Sequence, residues 1–157
     1  MTTYLDTNLL VRHYLDVDDG VASNLIFMEQ DEVPFPITDL LCLEVRNAIQ
    51  RMVYESRTGS ARRTTQEAAW AAIARFEEDL EEGVLLQRAA IPFPMLQQTF
   101  NTLSDRHTSR HGFRTYDIMH VASALHLGCT RFLSFDKNAV LLAKLESLLT
   151  NSPAPQL

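Results

Sequence analysis

The chain has little cysteine. Its two, Cys42 and Cys129, stand in apolar surroundings with no histidine at ligand-like spacing. That excludes a thiolate metal site and suits small buried hydrophobes in a reducing cytosol. Long apolar runs are missing too, so no membrane span is expected. No basic segment followed by an apolar one opens the sequence, and no secretory leader is expected. There is no internal repeat, no low-complexity tract and no linker-like stretch. A single domain over residues 1–150 is therefore expected, with residues 151–157 as a frayed, proline-containing tail. Positive charge is short as well: 14 Lys and Arg stand against 20 Asp and Glu, a formal net charge of −6. This balance argues against a general nucleic-acid coat, because phosphate affinity comes from clustered Lys and Arg. It leaves room for an enzyme that holds RNA through a metal and a local basic patch.

What is present is core-forming material. Hydrophobic residues make up 46% of the 157, and a chain of this length buries about 70% of its unfolded surface. Helical and strand patterns alternate along it. Thr3–Asp6 reads as a strand, and Leu9–Leu15 starts a helix with Leu10 and Tyr14 toward a core. Asp18-Asp19-Gly20 is a break, and one of its acids caps a helix over Val21–Gln30. Pro34 and Pro36 restrict Val33–Ile37 to an edge or short strand. Thr38 or Asp39 caps a long helix whose stripe is Leu41, Val45, Ala48 and Met52. Arg57–Arg63 is a polar basic loop, and Thr64 to Glu67 is a capping box. The helix it opens has Ala69, Ile73, Phe76 and Leu80 as its core stripe, and its acidic run Glu77–Glu82 reads as a solvated face. Trp70 and the phenylalanines read as core or interface. Gly83 ends the helix, Val84–Leu86 is a strand, and Ile91–Pro94 leads into a helix with Leu96, Phe100 and Leu103 inward, ending near Gly112.

The organising stretch is Arg114–Asn138. Its first half is a helix with Thr115 as N-cap, apolar residues at Ile118, Val121, Ala122 and Leu125, and Gly128 as stop. Its second half, Arg131–Phe135, is a short apolar strand that ends on Asp136. Asn138–Leu149 reads as a last amphipathic helix. The alternation implies an α/β fold, with parallel strands joined by crossovers and covered on both faces. Asp6 and Asp136 then leave the same edge of one sheet, where open α/β sheets bind ligands. Asp117 lies in a helix's first turn at the rim of its apolar face. Glu44 lies at the rim of another, beside Asn47 and Arg51. It either pairs with a base such as Arg51 or faces the same pocket as Asp6, since a buried acid needs a partner.

Asp6, Glu44, Asp117 and Asp136, each in this local context, resemble the acidic signature of the PIN domain, a family of metal-dependent ribonucleases. The resemblance runs from Thr3 to about Leu149. Within the family it is strongest to the short bacterial VapC type of toxin–antitoxin pairs. It implies a three-layer α/β/α fold around a central parallel sheet of four or five strands. It also implies an RNA substrate, a cognate antitoxin, a homodimer and a cytoplasmic location, with no membrane partner. The helix Thr64–Glu82, which carries Trp70 beside its core stripe, is a candidate for part of the dimer interface.

Gathered carboxylates repel: two unit charges 4 Å apart at an effective dielectric of about 20 cost roughly 4 kcal/mol. Little positive charge is evident near these acids except Lys137. A hard divalent cation, Mg²⁺ or Mn²⁺, suits an all-oxygen site. The histidines are too scattered for zinc; His107 and His111 have i,i+4 spacing but no matching acid motif. Such an ion activates water for phosphodiester hydrolysis. Asp6 and Asp117 are then the principal ligands, and Asp136 a further or second-metal ligand. Glu44 holds a water or orients the nucleophile. Thr7, Asn8 and Ser134 fix the carboxylates, Ser134-x-Asp136 matching the family's Ser/Thr-x-Asp. His120, one turn from Asp117, reads as a structural histidine bonded to backbone.

Arg106, His107, Arg110, His111 and Arg114 form the densest basic stretch. They read equally as cations at a helix C-terminus, worth about 0.3–1 kcal/mol each, and as contacts for an RNA backbone. Two rival functions remain. A haloacid-dehalogenase hydrolase wants an acid two residues after the first, where this chain has Asn8, and a receiver domain wants an acidic pair there. A catalytically silent PIN-like module for RNA or protein binding would have no need of all four acids.

Overall fold

Tyr4 and Leu5 are neighbours on a strand, so their side chains leave opposite faces of it. Both are fully buried. Apolar cover on both sides is the environment of a parallel strand flanked by helices. A computed structural model of the chain describes residues 2–28, 33–59 and 63–151. The end of the helix expected to reach Gln30, the centre of Arg57–Arg63 and the tail from Ser152 lie outside the described residues.

In chain order the elements are β1 (Thr3–Leu5), α1 (Thr7–Leu15), α2 (Val21–Met28), β2 (Phe35–Ile37) and α3 (Asp39–Arg57). Then come α4 (Gln66–Glu82), β3 (Leu86–Arg88), α5 (Phe93–Leu103), a π-helical turn at Ser104–Thr108 and the short α6 (Ser109–His111). The chain finishes with α7 (Thr115–His126), β4 (Arg131–Leu133), α8 (Lys137–Leu145) and β5 (Leu149–Thr150). β4 is the centre of a parallel sheet in the order β1-β4-β5, with Tyr4 opposite Phe132 and Arg131 opposite Leu149. α1, α3 and α4 pack on one another, and α5, α7 and α8 form a second group.

The expected sheet of four or five strands is not formed among the described residues. Three strands make one sheet, and β2 and β3 pair separately in parallel. β2 lies against β1 without joining its ladder. Pro36, the middle of β2's three residues, has no N–H to donate. Two other expectations shift for tertiary reasons. β3 falls at Leu86–Arg88 instead of Val84–Leu86, because Gln87 and Arg88 pair through their main chains with Pro36 and Ile37. α8 stops at Leu145, Ser147 takes a left-handed φ of 64°, and Leu149 then joins β4's free edge as β5. Leucines at 142, 145, 148 and 149 keep helical spacing, so local pattern alone extended the helix.

The caps move by one residue at two helices. Thr65, not Thr64, accepts the Ala68 N–H at 3.1 Å. Arg114, not Thr115, is the N-cap position of α7. Thr38 caps α3 by accepting from Leu41 N at 3.2 Å. The buried line of α3 is Leu41, Val45, Ile49 and Val53, which leaves Ala48 and Met52 half-buried on the flank beside Glu44. Cys129 is buried, and burial pushes its thiol up to about 12. Cys42 is only half-buried, and an Arg88 N–H reaches its Sγ at 3.7 Å. Trp70 stands 61% exposed on α4, outside the core.

The acidic run at the end of α4 is not wholly a solvated face. Tyr14 donates its hydroxyl to Asp79 at 2.5 Å, and the Arg75 guanidinium bonds the Tyr14 carbonyl, joining α1 to α4. Glu77 takes an exposed ion pair from Arg46. A hydrogen bond to a charged acceptor contributes about 1.5–3 kcal/mol, less when half-exposed. Tyr14→Phe is therefore expected to cost about 1–2 kcal/mol, lowering the melting temperature by roughly 2–4 °C per kcal/mol. Glu78→Gln, on the exposed side of the same run, should stay within about 0.5 kcal/mol. Equal effects of the two in thermal melts would show that the Tyr14–Asp79 bond contributes nothing.

A second clamp joins the π-helical turn to the end of α8. Glu146 accepts from Arg106 at 2.8 Å and from His107 at 2.5 Å, with 12% of its side chain exposed. Burial alone would raise this carboxyl. The two hydrogen bonds and the Arg106 and His107 charges outweigh that and hold it below its ordinary 4.5. A depressed acid stabilises the fold fully above its unfolded pKa, and the contribution is lost as pH falls through the folded value. Glu146→Gln is thus expected to lower the melting temperature at neutral pH and to flatten its decline below pH 4.5. Parallel acid-limb melting curves for variant and wild type would overturn this assignment.

Candidate active site

Four short stretches bring the acids together. Asp6 follows β1 directly and is the N-cap of α1. Its Oδ1 accepts the Thr7 N–H at 2.7 Å. Its Oδ2 accepts from the Ser134 hydroxyl at 2.5 Å and from Asn8 Nδ2 at 3.1 Å. β4 stops at Leu133, short of the expected Phe135, so Asp136 stands three residues past the strand; it is the N-cap of α8, where its Oδ1 accepts from Asn138 N at 2.7 Å and Ala139 N at 3.2 Å. Asp117 sits in the first turn of α7 and reaches back to the Arg114 N–H at 3.0 Å. Glu44, on α3, has no backbone donor among the described residues; its Oε2 accepts from the Thr7 hydroxyl at 2.9 Å and from His120 Nε2 at 2.5 Å. Arg51 pairs with Glu55 one turn along α3, not with Glu44.

Thr7, Asn8 and Ser134 each touch an acid or the loop that carries one. Asn8 Oδ1 also accepts the Phe135 N–H at 3.0 Å, and Ser134 Oγ accepts the Asp136 N–H at 2.9 Å. Asn151, which the sequence reading assigned to the tail, holds this loop from the other side. Its amide accepts the Ser134 N–H and donates to the Ser134 carbonyl, both at 3.0 Å.

All four acids line one open cleft of about 1090 Å³, together with Arg12, Arg51, Arg114, Tyr116, His120 and Phe135. Lys137 is not among its lining residues, so the positive charge beside the acids comes from elsewhere than the sequence suggested. Arg12 stacks over the Phe135 ring at 4.6 Å. Of the basic stretch only Arg114 reaches the cleft; Arg106 and His107 are held by Glu146, and Arg110 does not line it.

His120 is the main residue that the sequence reading misplaced. Among the described residues its ring is bonded to side chains, not to backbone. Its Nδ1 meets the Tyr4 hydroxyl at 3.0 Å, and its Nε2 lies 2.5 Å from Glu44 and 3.6 Å from Asp6. Burial by itself would lower its pKa; the hydrogen bond to Glu44 and the charges of Asp6, Glu44 and Asp117 outweigh burial and raise it. Asp6 is also raised, by burial first and by Glu44, against the lowering effect of His120, Ser134 and Thr7. The signal in the sequence was spacing: residues three apart share a helix face, so a face that carries Asp117 into the cleft carries His120 with it.

The second oxygens of Asp117 and Asp136 have no protein donor among the described residues, and both residues line the cleft. Hard carboxylate oxygens suit Mg²⁺ or Mn²⁺. No three His, Cys, Asp or Glu side chains are grouped as around one ion among the described residues. Mg²⁺ keeps several waters and needs only one or two carboxylates, so this donor set fits a partly hydrated ion and not a preformed cage.

No protein-family model matches the sequence, and no curated protein matches it. Solved structures do. A chain of VapBC2 from Rickettsia felis, in a structure with a DNA fragment from their promoter, superposes with a TM-score of 0.66 at 12% identity, covering 96% of this chain and 98% of that one. VapC20 from Mycobacterium tuberculosis, a sarcin–ricin loop cleaving toxin, gives a TM-score of 0.61 at 18% identity, over 89% and 94% of the two chains. At such identities the likeness is one of fold. The chain has the VapC fold, that of the PIN-domain family which its sequence resembles.

Proposed function

We propose that this protein is a divalent-metal-dependent endoribonuclease, the toxin of a VapBC-type pair, acting in the cytoplasm. One observation carries the reading: Asp6, Glu44, Asp117 and Asp136, from four separate elements of a VapC fold, line one cleft. VapC20, a toxin that cleaves the sarcin–ricin loop, and the VapBC2 assembly with promoter DNA support the activity and the antitoxin partner by analogy of fold.

In this reading Asp6 and Asp117 hold the ion, with Asp136 as a further ligand or the ligand of a second ion. A bound Mg²⁺ or Mn²⁺ supplies Lewis acidity at the phosphate and activation of water. The other parts belong to the chain. Glu44 has one oxygen fixed by Thr7 and His120, and its other has no protein donor among the described residues, so it can orient a water. Arg114 is the residue of the basic stretch placed to meet a phosphate, beside Arg12 and Arg51. The reading includes a homodimer, for which exposed Trp70 on α4 is the candidate contact. A silent binding module would not require four acids on one cleft, and buried acids are costly to keep without use.

The test is bacterial total RNA incubated with the protein, Mg²⁺ or EDTA, and mapping of new 5′ ends. EDTA should abolish cleavage. Asp6→Asn, Asp117→Asn and Asp136→Asn should each lose at least about 100-fold. Mg²⁺ should raise the melting temperature of the wild type, since an ion that binds only the folded state stabilises it. Cleavage that survives EDTA sinks the metal; a wild-type rate in any variant removes that residue from the site.

A further inference from the structure

Glu44 differs from the other three acids in how it is held. Asp6, Asp117 and Asp136 each accept at least one backbone N–H, which a helix N-terminus fixes in space. Glu44 lies inside α3 and, among the described residues, has only side-chain donors, Thr7 and His120. A longer side chain on side-chain anchors is as well placed as those anchors are. His120 is itself anchored. It is 4% exposed, and the Tyr4 hydroxyl meets its Nδ1 at 3.0 Å. Tyr4 is 0% exposed and stacks on Phe132 across the β1–β4 ladder, centroids 5.6 Å apart and planes within 5°.

The hydrogen-bond roles follow from chemistry. A carboxylate accepts and does not donate, so the nitrogen 2.5 Å from Glu44 carries a proton. In a neutral ring Nδ1 is then the acceptor, and Tyr4 donates to it. In a charged ring Nδ1 carries a proton too, and the Tyr4 oxygen accepts it. Both protonation states give Glu44 the same donor.

We propose that His120, braced by Tyr4, is a positioning residue for Glu44: the stacked core sets the imidazole, and the imidazole sets the carboxylate. The inference rests on the reading of Glu44 as the acid that orients water. It predicts a relay in which a change at Tyr4, which does not itself line the cleft, moves the chemistry.

Kinetics of three variants and a pair of spectra, wild type and Glu44→Gln, test it. Glutamine can place an amide N–H where His120 has Nε2; asparagine is too short. His120→Asn should lower kcat about 100-fold, the scale of a misplaced reacting group, with KM within about twofold. His120→Gln should recover most of that loss. Tyr4→Phe should lower kcat about 10-fold, since it loosens the ring and leaves its donor in place. Kinetics use a synthetic RNA hairpin spanning the mapped cut. Long-range ¹H–¹⁵N spectra of the wild type should show a proton on Nε2 of His120 and a shift of that nitrogen in Glu44→Gln. Equal losses in Asn and Gln, losses that follow the melting temperatures, or a proton on Nδ1 alone would overturn the proposal. If the wild type cleaves no RNA, the nuclease reading fails, and the spectrum decides by itself whether the ring holds Glu44.

Discussion

The site depends on the seam where β1 and β4 end together. The two strands are in parallel register up to Leu5 and Leu133, so the residues that follow each emerge side by side. The Ser134 hydroxyl closes the seam onto Asp6, Asn8 bridges both strands, and Asn151 braces the Ser134 backbone from the third strand's side. A one-residue slip of this register would turn Tyr4 and Phe132 to the wrong faces and separate Asp6 from Ser134. The core stack and the acidic cleft are two consequences of one alignment.

The same groups serve the fold and the cleft. Asp6 and Asp136 are helix N-caps, and Asp117 reaches back to the N-terminus of a third helix. A helix N-terminus carries about half a positive charge and unpaired N–H donors. Three such ends face three carboxylates, so part of the repulsion expected among gathered acids is compensated within the fold. His120 compensates more. The expectation of an acidic cluster without fixed positive partners was therefore too stark. The partners are not lysines and arginines near in sequence but backbone amides and one histidine.

Legibility followed locality. The places of Asp6 and Asp136 could be read because an apolar run ending on an acid is a pattern of a few adjacent residues, although β4 itself stops at Leu133 and leaves Ser134 and Phe135 between strand and acid. Asp117 could be read from its turn position in a helix. Glu44 could not be settled from its own helix, because Arg51 and the pocket lay on the same flank; the choice was made by Thr7 and His120, distant in sequence. His120 looked like an ordinary core histidine because Tyr4, 116 residues away, supplies its other bond. β5 was invisible for a similar reason. Its two residues are a strand only because β4 has a free edge, and their leucine spacing favours a helix. The separate β2–β3 pair was half-legible: the prolines marked β2 as an edge, but not which neighbour it would refuse.

The charge of the cleft bears most directly on the proposed ion. Its lining holds seven carboxylates, those of Asp6, Asp18, Asp19, Glu44, Glu55, Asp117 and Asp136, against the guanidiniums of Arg12, Arg51 and Arg114 and the His120 ring. Even with that ring charged, the acids outnumber the bases. The whole chain is negative as well. RNA is a polyanion whose affinity for proteins comes mainly from cations near its phosphates. A cleft of this balance repels a phosphate on approach, and desolvation in its depth strengthens the repulsion. Arg114 and Arg12 at the lining cannot reverse it alone. A divalent cation between the carboxylates would offset that field where, in the proposed reading, a substrate phosphate would sit. The acids that make the cleft hostile to RNA by themselves are thus the physical support for a metal-assisted reading of it.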